Sequence, residues 1–149
     1  MFRVTIDGKD VPAKPDQTIL DVARENGITI PTLCYHAKLS LIKSCRICLV
    51  DVEGADMPMA SCATPVVDGM VVHTHTDRVE KMRREALKLL LVNHPLDCPV
   101  CDAGGECQLQ NRVHEFGIDR NDFPPEKVDR PRPDYGTPLI KQWFDRCVM

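Results

Sequence analysis

A chain of 149 residues, 43% of them hydrophobic and 28% charged, suffices for one medium domain or two small ones, each with a modest core. A formal net charge of -3 gives no electrostatic footing for nucleic acid or an anionic membrane surface. The strongest apolar run, Leu87 to Val92 broken by Lys88, is too short to cross a bilayer, and residues 1–15 lack a signal-peptide core, so a cytoplasmic protein without direct membrane insertion is expected.

Phe2 to Asp7 alternates Phe2, Val4 and Ile6 with Arg3, Thr5 and Asp7, the signature of a strand. Asp7-Gly8 then predicts a hairpin turn into a second strand at Lys9 to Ala13. Thr18 suits a helix N-cap, and Asp21 three residues on completes a capping-box pair. Ile19, Leu20, Val22 and Ala23 supply the apolar face, and Gly27 stands where that helix should close. Ile28 to Pro31 reads as a short extended piece before a long cysteine-bearing loop. Cys48 to Glu53 and Pro58 to Ala60 predict strands joined around Gly54, and Met70 to Thr74 predicts another. Residues 1–75 thus form a small α+β unit.

Around Thr76 the pattern changes. Asp77 with Glu80 predicts the cap of a helix to about Val92, with Val79, Met82, Ala86, Leu89 and Leu90 on its apolar face. Asn93-His94-Pro95 ends it, because a residue before proline is pushed towards extended geometry. A compact loop leads to a second helix from about Glu106 to Phe116, closed by Gly117, so residues 76–118 make a small helical domain. Residues 119–149, with Pro124-Pro125 and Arg130-Pro131-Arg132-Pro133, predict an extended connector.

Eight cysteines are the unusual feature. Without a secretion signal, and in a chain able to form a core, clustered cysteines point to metal or redox chemistry before disulfides. Cys34, Cys45, Cys48 and Cys62 have the spacing C-x10-C-x2-C-x13-C. Four thiolates suit the two irons of a [2Fe–2S] cluster, and a C-x2-C loop can aim backbone N–H groups at sulfur. Structural zinc also accepts four cysteines, although it commonly uses two C-x2-C pairs where this unit has one. His94, Cys98, Cys101 and Cys107 form H-x3-C-x2-C-x5-C. Pro95 and Pro99 stiffen that loop, and Gly104-Gly105 allow the turn that returns Cys107. Four ligands suit the irons of a [4Fe–4S] cube, but three cysteines with one histidine are equally a zinc set.

The segments Cys34-Tyr35-His36, Lys43-Ser44-Cys45-Arg46-Ile47-Cys48 and Ala60-Ser61-Cys62 resemble the binding segments of a ferredoxin-type [2Fe–2S] domain. Their spacing departs from the plant-type form. It is similar instead to the N-terminal domain of the large iron–sulfur subunit, the G type, of NADH–quinone oxidoreductase (respiratory complex I). Related modules occur in iron-only hydrogenases and NAD-linked formate dehydrogenases. Lys43 stands where many members carry Gly. The run from Asn93 to Cys107 resembles the family's histidine-plus-three-cysteine motif, with Gln108-Leu109-Gln110 like its continuation. The resemblance spans nearly the whole chain, but only the front of the family's subunit. It implies a [2Fe–2S] ferredoxin-like β-grasp domain, then a helical [4Fe–4S] domain ligated by His94 and three cysteines, then an extended tail. In the family, a segment like Pro138-Leu139-Ile140 followed by Arg-Cys opens a further cluster-binding run. Only its first cysteine, Cys147, is here, which favours a fragment of a longer subunit over a short natural product whose Cys147 is idle.

By that resemblance the chain carries electrons one at a time between redox centres, with no substrate site of its own. Its partners would be other subunits of the complex, including a flavin-bearing, NADH-oxidising one, at the cytoplasmic face of the inner membrane. An electron-input module of a hydrogenase or formate dehydrogenase is the alternative, and a zinc-binding interaction module without redox role is the second. His73, His75, His36 and His114 read as surface or partly buried groups, Asp119, Asp122 and Glu126 as solvated charge, and Trp143 as a packing anchor or subunit contact.

Overall fold

The structure is a computed structural model that describes residues 1–120, 122–123, 126, 136–141, 143 and 146. Most of the expected connector and Cys147 lie outside the described residues. The chain divides into two compact units, Met1–Ala86 and Leu87–Met149.

In the first unit, β1 (Phe2–Ile6) and β2 (Lys9–Ala13) pair antiparallel through a two-residue turn. Asp7 (φ 49) and Gly8 (φ 77) both take positive φ, which matches the twist of a tight hairpin. Asp7 also accepts hydrogen bonds from the Thr74 N–H at 2.7 Å and hydroxyl at 2.5 Å, tying the turn to a segment far along the chain. Helix α1 (Ile19–Glu25) follows, then β3 (Leu49–Val52), β4 (Met59–Ala60) and β5 (Val71–His73). The five-stranded sheet has the order β2-β1-β5-β3-β4, with β1 and β5 parallel and the other neighbours antiparallel. Pro12 sits on the edge strand β2, where its missing N–H costs no ladder bond. Ile28 to Pro31 belongs to none of the sheet's strands.

Helix α1 forms where its punctuation predicted. The Thr18 hydroxyl accepts from the Asp21 N–H at 3.2 Å, and the Asp21 carboxylate accepts from the Thr18 N–H at 3.0 Å. At its other end the Ile28 N–H bonds the Ala23 carbonyl at 2.8 Å and Gly27 the Arg24 carbonyl at 3.2 Å, a Schellman close that needs the positive φ of Gly27. Ile19, Leu20, Val22 and Ala23 pack on Val4, Ile6, Val50 and Val72 from the sheet, all fully buried.

Helix α2 (Asp77–Asn93) begins one residue earlier in its chemistry than expected. The cap is Thr76, whose hydroxyl accepts from the Val79 N–H at 3.2 Å while donating to Asp51 on β3. The expected apolar face is also corrected. The buried positions are Val79, Arg83, Leu87 and Leu91, one every four residues, whereas Leu89 is 59% exposed. A charged residue inside that stripe shifts the apparent face, because sequence periodicity assigns arginine to solvent. In the second unit a single 3-10 turn (Cys98–Val100) precedes helix α3 (Gln108–Glu115), which starts two residues later than predicted and closes on Gly117 (φ 59).

The hairpin tie is testable. Asp7→Ala removes both bonds to Thr74 and places alanine at positive φ, so a loss of about 1–2 kcal/mol is expected in urea unfolding.

Candidate metal centres

Each of the first four cysteines is brought to its place by a different local device. Cys34 precedes Tyr35, whose hydroxyl reaches the Asp21 carboxylate at 3.5 Å and whose ring lies 4.4 Å from the Arg24 guanidinium, so α1 anchors this end of the loop. Cys45 and Cys48 flank Arg46, which takes φ 57; Lys43 takes φ 60. A left-handed residue within such a loop turns successive N–H groups inward, forming a concave anion nest. Cys48 leads directly into β3, and its carbonyl accepts from the Ser61 N–H at 3.0 Å, which sets Cys62 beside it. The 61–64 segment is held from the other side by α1. The Leu20 N–H bonds the Ser61 carbonyl at 3.1 Å and the Ile19 N–H bonds the Thr64 carbonyl at 3.0 Å. Helix N–H groups that lack intrahelical partners thus fix the cysteine segment.

The thiols meet as two pairs. Cys34 lies against Cys45, and Cys48 against Cys62, with Cys62 in electrostatic reach of the other three. Burial pushes the Cys34 thiol up, but the N–H groups of Cys45 and Ser44, with their side chains, outweigh it and leave it below its ordinary value. Burial raises the Cys45 thiol despite the Ile47 and Cys34 N–H groups. Cys62, 2% exposed, is pushed up to about 12 by burial and then by the neighbouring Cys48, Cys34 and Cys45 sulfurs. All seven described cysteines are free thiols, so no disulfide competes for them.

This donor set fits a two-iron cluster. Each iron takes two thiolates, and two neighbouring pairs are what the loops provide. The Ser61 hydroxyl, buried beside Cys62, has no hydrogen-bond partner among the described residues. A buried donor of that kind suits a sulfur-rich anion.

The second constellation is built from turns. Cys98 opens the 3-10 turn and Cys101 closes it, its N–H bonding the Cys98 carbonyl at 3.3 Å. The Gly104 N–H bonds the Cys101 carbonyl at 2.9 Å, and the Gly105 N–H bonds the Gln110 side chain at 3.1 Å. Cys107 is thereby returned as the N-cap residue of α3. His94 directly follows α2, with its Nδ1 buried. Asp97 pairs with Arg146 at 2.7 Å, which holds its carboxyl below the usual range. A four-iron cube spreads its ligands over separate corners, so half-buried thiols at the ends of turns match it. The histidines set aside from the sequence do not join either group. His73 contacts Glu53 at 3.1 Å, His75 contacts Glu80 at 3.5 Å, and exposed His36 accepts from the Lys38 N–H. Asp122 pairs with Lys88 at 2.7 Å, and half-exposed Trp143 lies between Lys141 and Arg146.

Residues 1–77 match the family described as the 2Fe-2S iron-sulfur cluster binding domain. The chain belongs to that family. Residues 83–122 match the NADH-ubiquinone oxidoreductase-G iron-sulfur binding region. The chain therefore has the make-up of the N-terminal part of a G-type large iron–sulfur subunit, with one [2Fe–2S] and one [4Fe–4S] cluster as its cofactors. It is 46% identical over 149 residues to the NADPH-Fe(3+) oxidoreductase subunit alpha of Geobacter sulfurreducens, covering 100% of this chain and 18% of that protein. It is 47% identical over 148 residues to the NADH-ubiquinone oxidoreductase 75 kDa subunit of Reclinomonas americana, covering 99% of this chain and 21% of that protein. For the G-type NADH-quinone oxidoreductase subunit of Rickettsia typhi the figures are 43% identity, 99% and 22%. The chain thus spans about a fifth of the length of these relatives. A crystal structure of an NAD+-reducing [NiFe]-hydrogenase in the H2-reduced state matches with a TM-score of 0.90 at 32% identity, over 99% of this chain and 62% of that one. Among the described residues no helix is long and apolar enough to cross a membrane.

Sequence reasoning missed three contributors here. The tether of Tyr35 to α1, the buried Ser61 hydroxyl and the left-handed Arg46 carry no motif, since each depends on contacts or backbone angles that residue order does not display.

Two outcomes follow from this geometry. In the cluster-free protein Cys62 stays protonated in the fold up to about 12 but ionises near the ordinary 9.0 when unfolded. Its contribution is therefore full below pH about 9 and lost as pH rises towards 12, so the urea midpoint should fall between pH 8 and about 11. A Cβ at Gly104 would lie 2.6 Å from the Cys98 carbonyl oxygen, so Gly104→Ala should abolish four-iron loading while the two-iron absorption persists.

Proposed function

We propose that this chain is an electron-transfer module of an NADH–quinone oxidoreductase-like complex, holding [2Fe–2S] through Cys34, Cys45, Cys48 and Cys62, and [4Fe–4S] through His94, Cys98, Cys101 and Cys107. The observation that carries the reading is the meeting of four thiols as two pairs within the segment that matches the two-iron family. One-electron redox chemistry is what such clusters supply when bound. The chain's own residues do the rest. Four thiolates give the two-iron centre a formal negative charge that deepens on reduction, and the N–H groups of Ser44, Cys45 and Ile47 offset it by donating to sulfur. At the second centre one imidazole in place of a thiolate makes the ligand set one unit less negative, an electrostatic bias towards a higher potential.

We further assign residues 1–75 to the two-iron domain, 76–118 to the histidine-ligated domain and 119–149 to a connector leading into a further cluster-binding segment. Electrons would enter from a flavin-bearing, NADH-oxidising subunit and leave towards quinone, in a complex at the cytoplasmic face of the inner membrane. The names of the NADH-quinone and NADH-ubiquinone oxidoreductase relatives support that placement. The likeness to the hydrogenase structure supports a second reading, an electron-input module of a hydrogenase. Reduction of the complex by NADH but not by hydrogen separates the first from the second.

Ligand assignment is tested on anaerobically loaded protein. Cys98→Ala should abolish the four-iron EPR signal and leave the two-iron absorption intact. Retention of both signals would overturn the assignment of the second centre. A colourless wild-type protein carrying stoichiometric zinc and no acid-labile sulfide would overturn both.

A further inference from the structure

Arg83 is the largest fully buried side chain of the first unit, 1% exposed, in the stripe of α2 that otherwise buries Val79, Leu87 and Leu91. A guanidinium at such a place carries a large desolvation cost, and leucine or methionine would fill the same volume without it. Its position relative to the sheet explains its presence. Along β3, alternate residues face alternate neighbours. Cys48 and Val50 face β4, as the bond from the Ser61 N–H to the Cys48 carbonyl shows. Leu49 and Asp51 face the other edge, towards β5. But β5 ends at His73, opposite Asp51, so the Leu49 carbonyl lies beyond the last rung. Arg83 donates its Nη2 hydrogen bond to that carbonyl, taking the place of the absent strand. One step along, the Thr76 hydroxyl at the start of α2 donates to the Asp51 side-chain carboxylate, a second tie between that helix and β3.

We propose that Arg83 is a positioning residue for the two-iron centre, fixing through Leu49 the backbone from which Cys48 presents its thiolate. This deepens the proposed ligand assignment and rests on it. Two bonds on opposite edges clamp consecutive peptide units at the entry of β3. One comes from Ser61, next to Cys62, and the other from Arg83 on α2. With both made, the Cys48 and Cys62 thiols are held at a fixed separation; with the second lost, a buried carbonyl is left without its donor and the strand end is free to shift. Arg83 also lies outside residues 1–77, the segment matched by the two-iron family, and inside the 83–122 segment matched by the other. The two-iron site therefore draws a structural residue from sequence that belongs to its neighbour's motif.

The test uses the whole chain, loaded anaerobically, with the four-iron signal as internal control. Arg83→Met keeps length and apolar bulk but donates nothing. It should lose the two-iron cluster to a chelator about 10-fold faster than wild type, the scale typical of outer-shell partners of metal ligands, and shift the two-iron EPR g-values. Four-iron loading and its signal should not change. Arg83→Lys, which retains a charged donor, should restore release rate and g-values most of the way. Wild-type rates and g-values in Arg83→Met would overturn the proposal. So would parallel loss of both clusters in both variants, which would make Arg83 a general stability residue. A wild-type chain with no two-iron signal would overturn the ligand assignment itself, and that result is read before any Arg83 variant is compared.

Discussion

Four sulfurs crowded at one end of a small sheet set the terms for the rest of the first unit. A thiol that ionises at Cys62 meets the three others, and burial removes the water that would soften the repulsion. The raised Cys62 thiol is the measure of that conflict, since its neighbours Cys48, Cys34 and Cys45 all push in the same direction as burial. Such a site is unfavourable for free thiolates and favourable for a cationic iron core that neutralises them. The fold consequently places its backbone donors near sulfur, as the N–H groups of Ser44, Cys45 and Ile47 do.

Holding the sulfurs in place falls to elements that are not part of any cysteine motif. The first turn of α1 donates to the Ser61 and Thr64 carbonyls, so the helix that fills the core also fixes the segment that carries Cys62. Its capping residue Asp21 and its last-turn Arg24 reach Tyr35 and so steady the segment that begins at Cys34. The core and the site are therefore one construction. Loosening α1 would move two of the four cysteines, although neither lies on it.

The second unit works differently. Its cysteines are only half-buried and sit at the ends of tight turns, so their placement comes from backbone geometry more than from packing. Gly104 makes this explicit, because the Cys98 and Cys101 carbonyls leave no room for a side chain at that point of the turn. The ion pair between Asp97 and Arg146 adds a tie from a later part of the chain to the same loop.

Much of this was legible in residue order. Alternation showed β1, Asp7-Gly8 showed its turn, Thr18 with Asp21 and Gly27 bounded α1, and the spacing of the cysteines set out two groups of candidate ligands. These signals are local, written within a few residues and governed by backbone preferences or ligand reach. The pairing of Cys34 with Cys45 and of Cys48 with Cys62, the order of the strands and the burial of Arg83 were decided only by the tertiary structure. The reason is physical. Whether a carbonyl such as that of Leu49 has a neighbour depends on where a distant strand stops, and a sequence read along its length carries no record of that until the chain has folded back on itself.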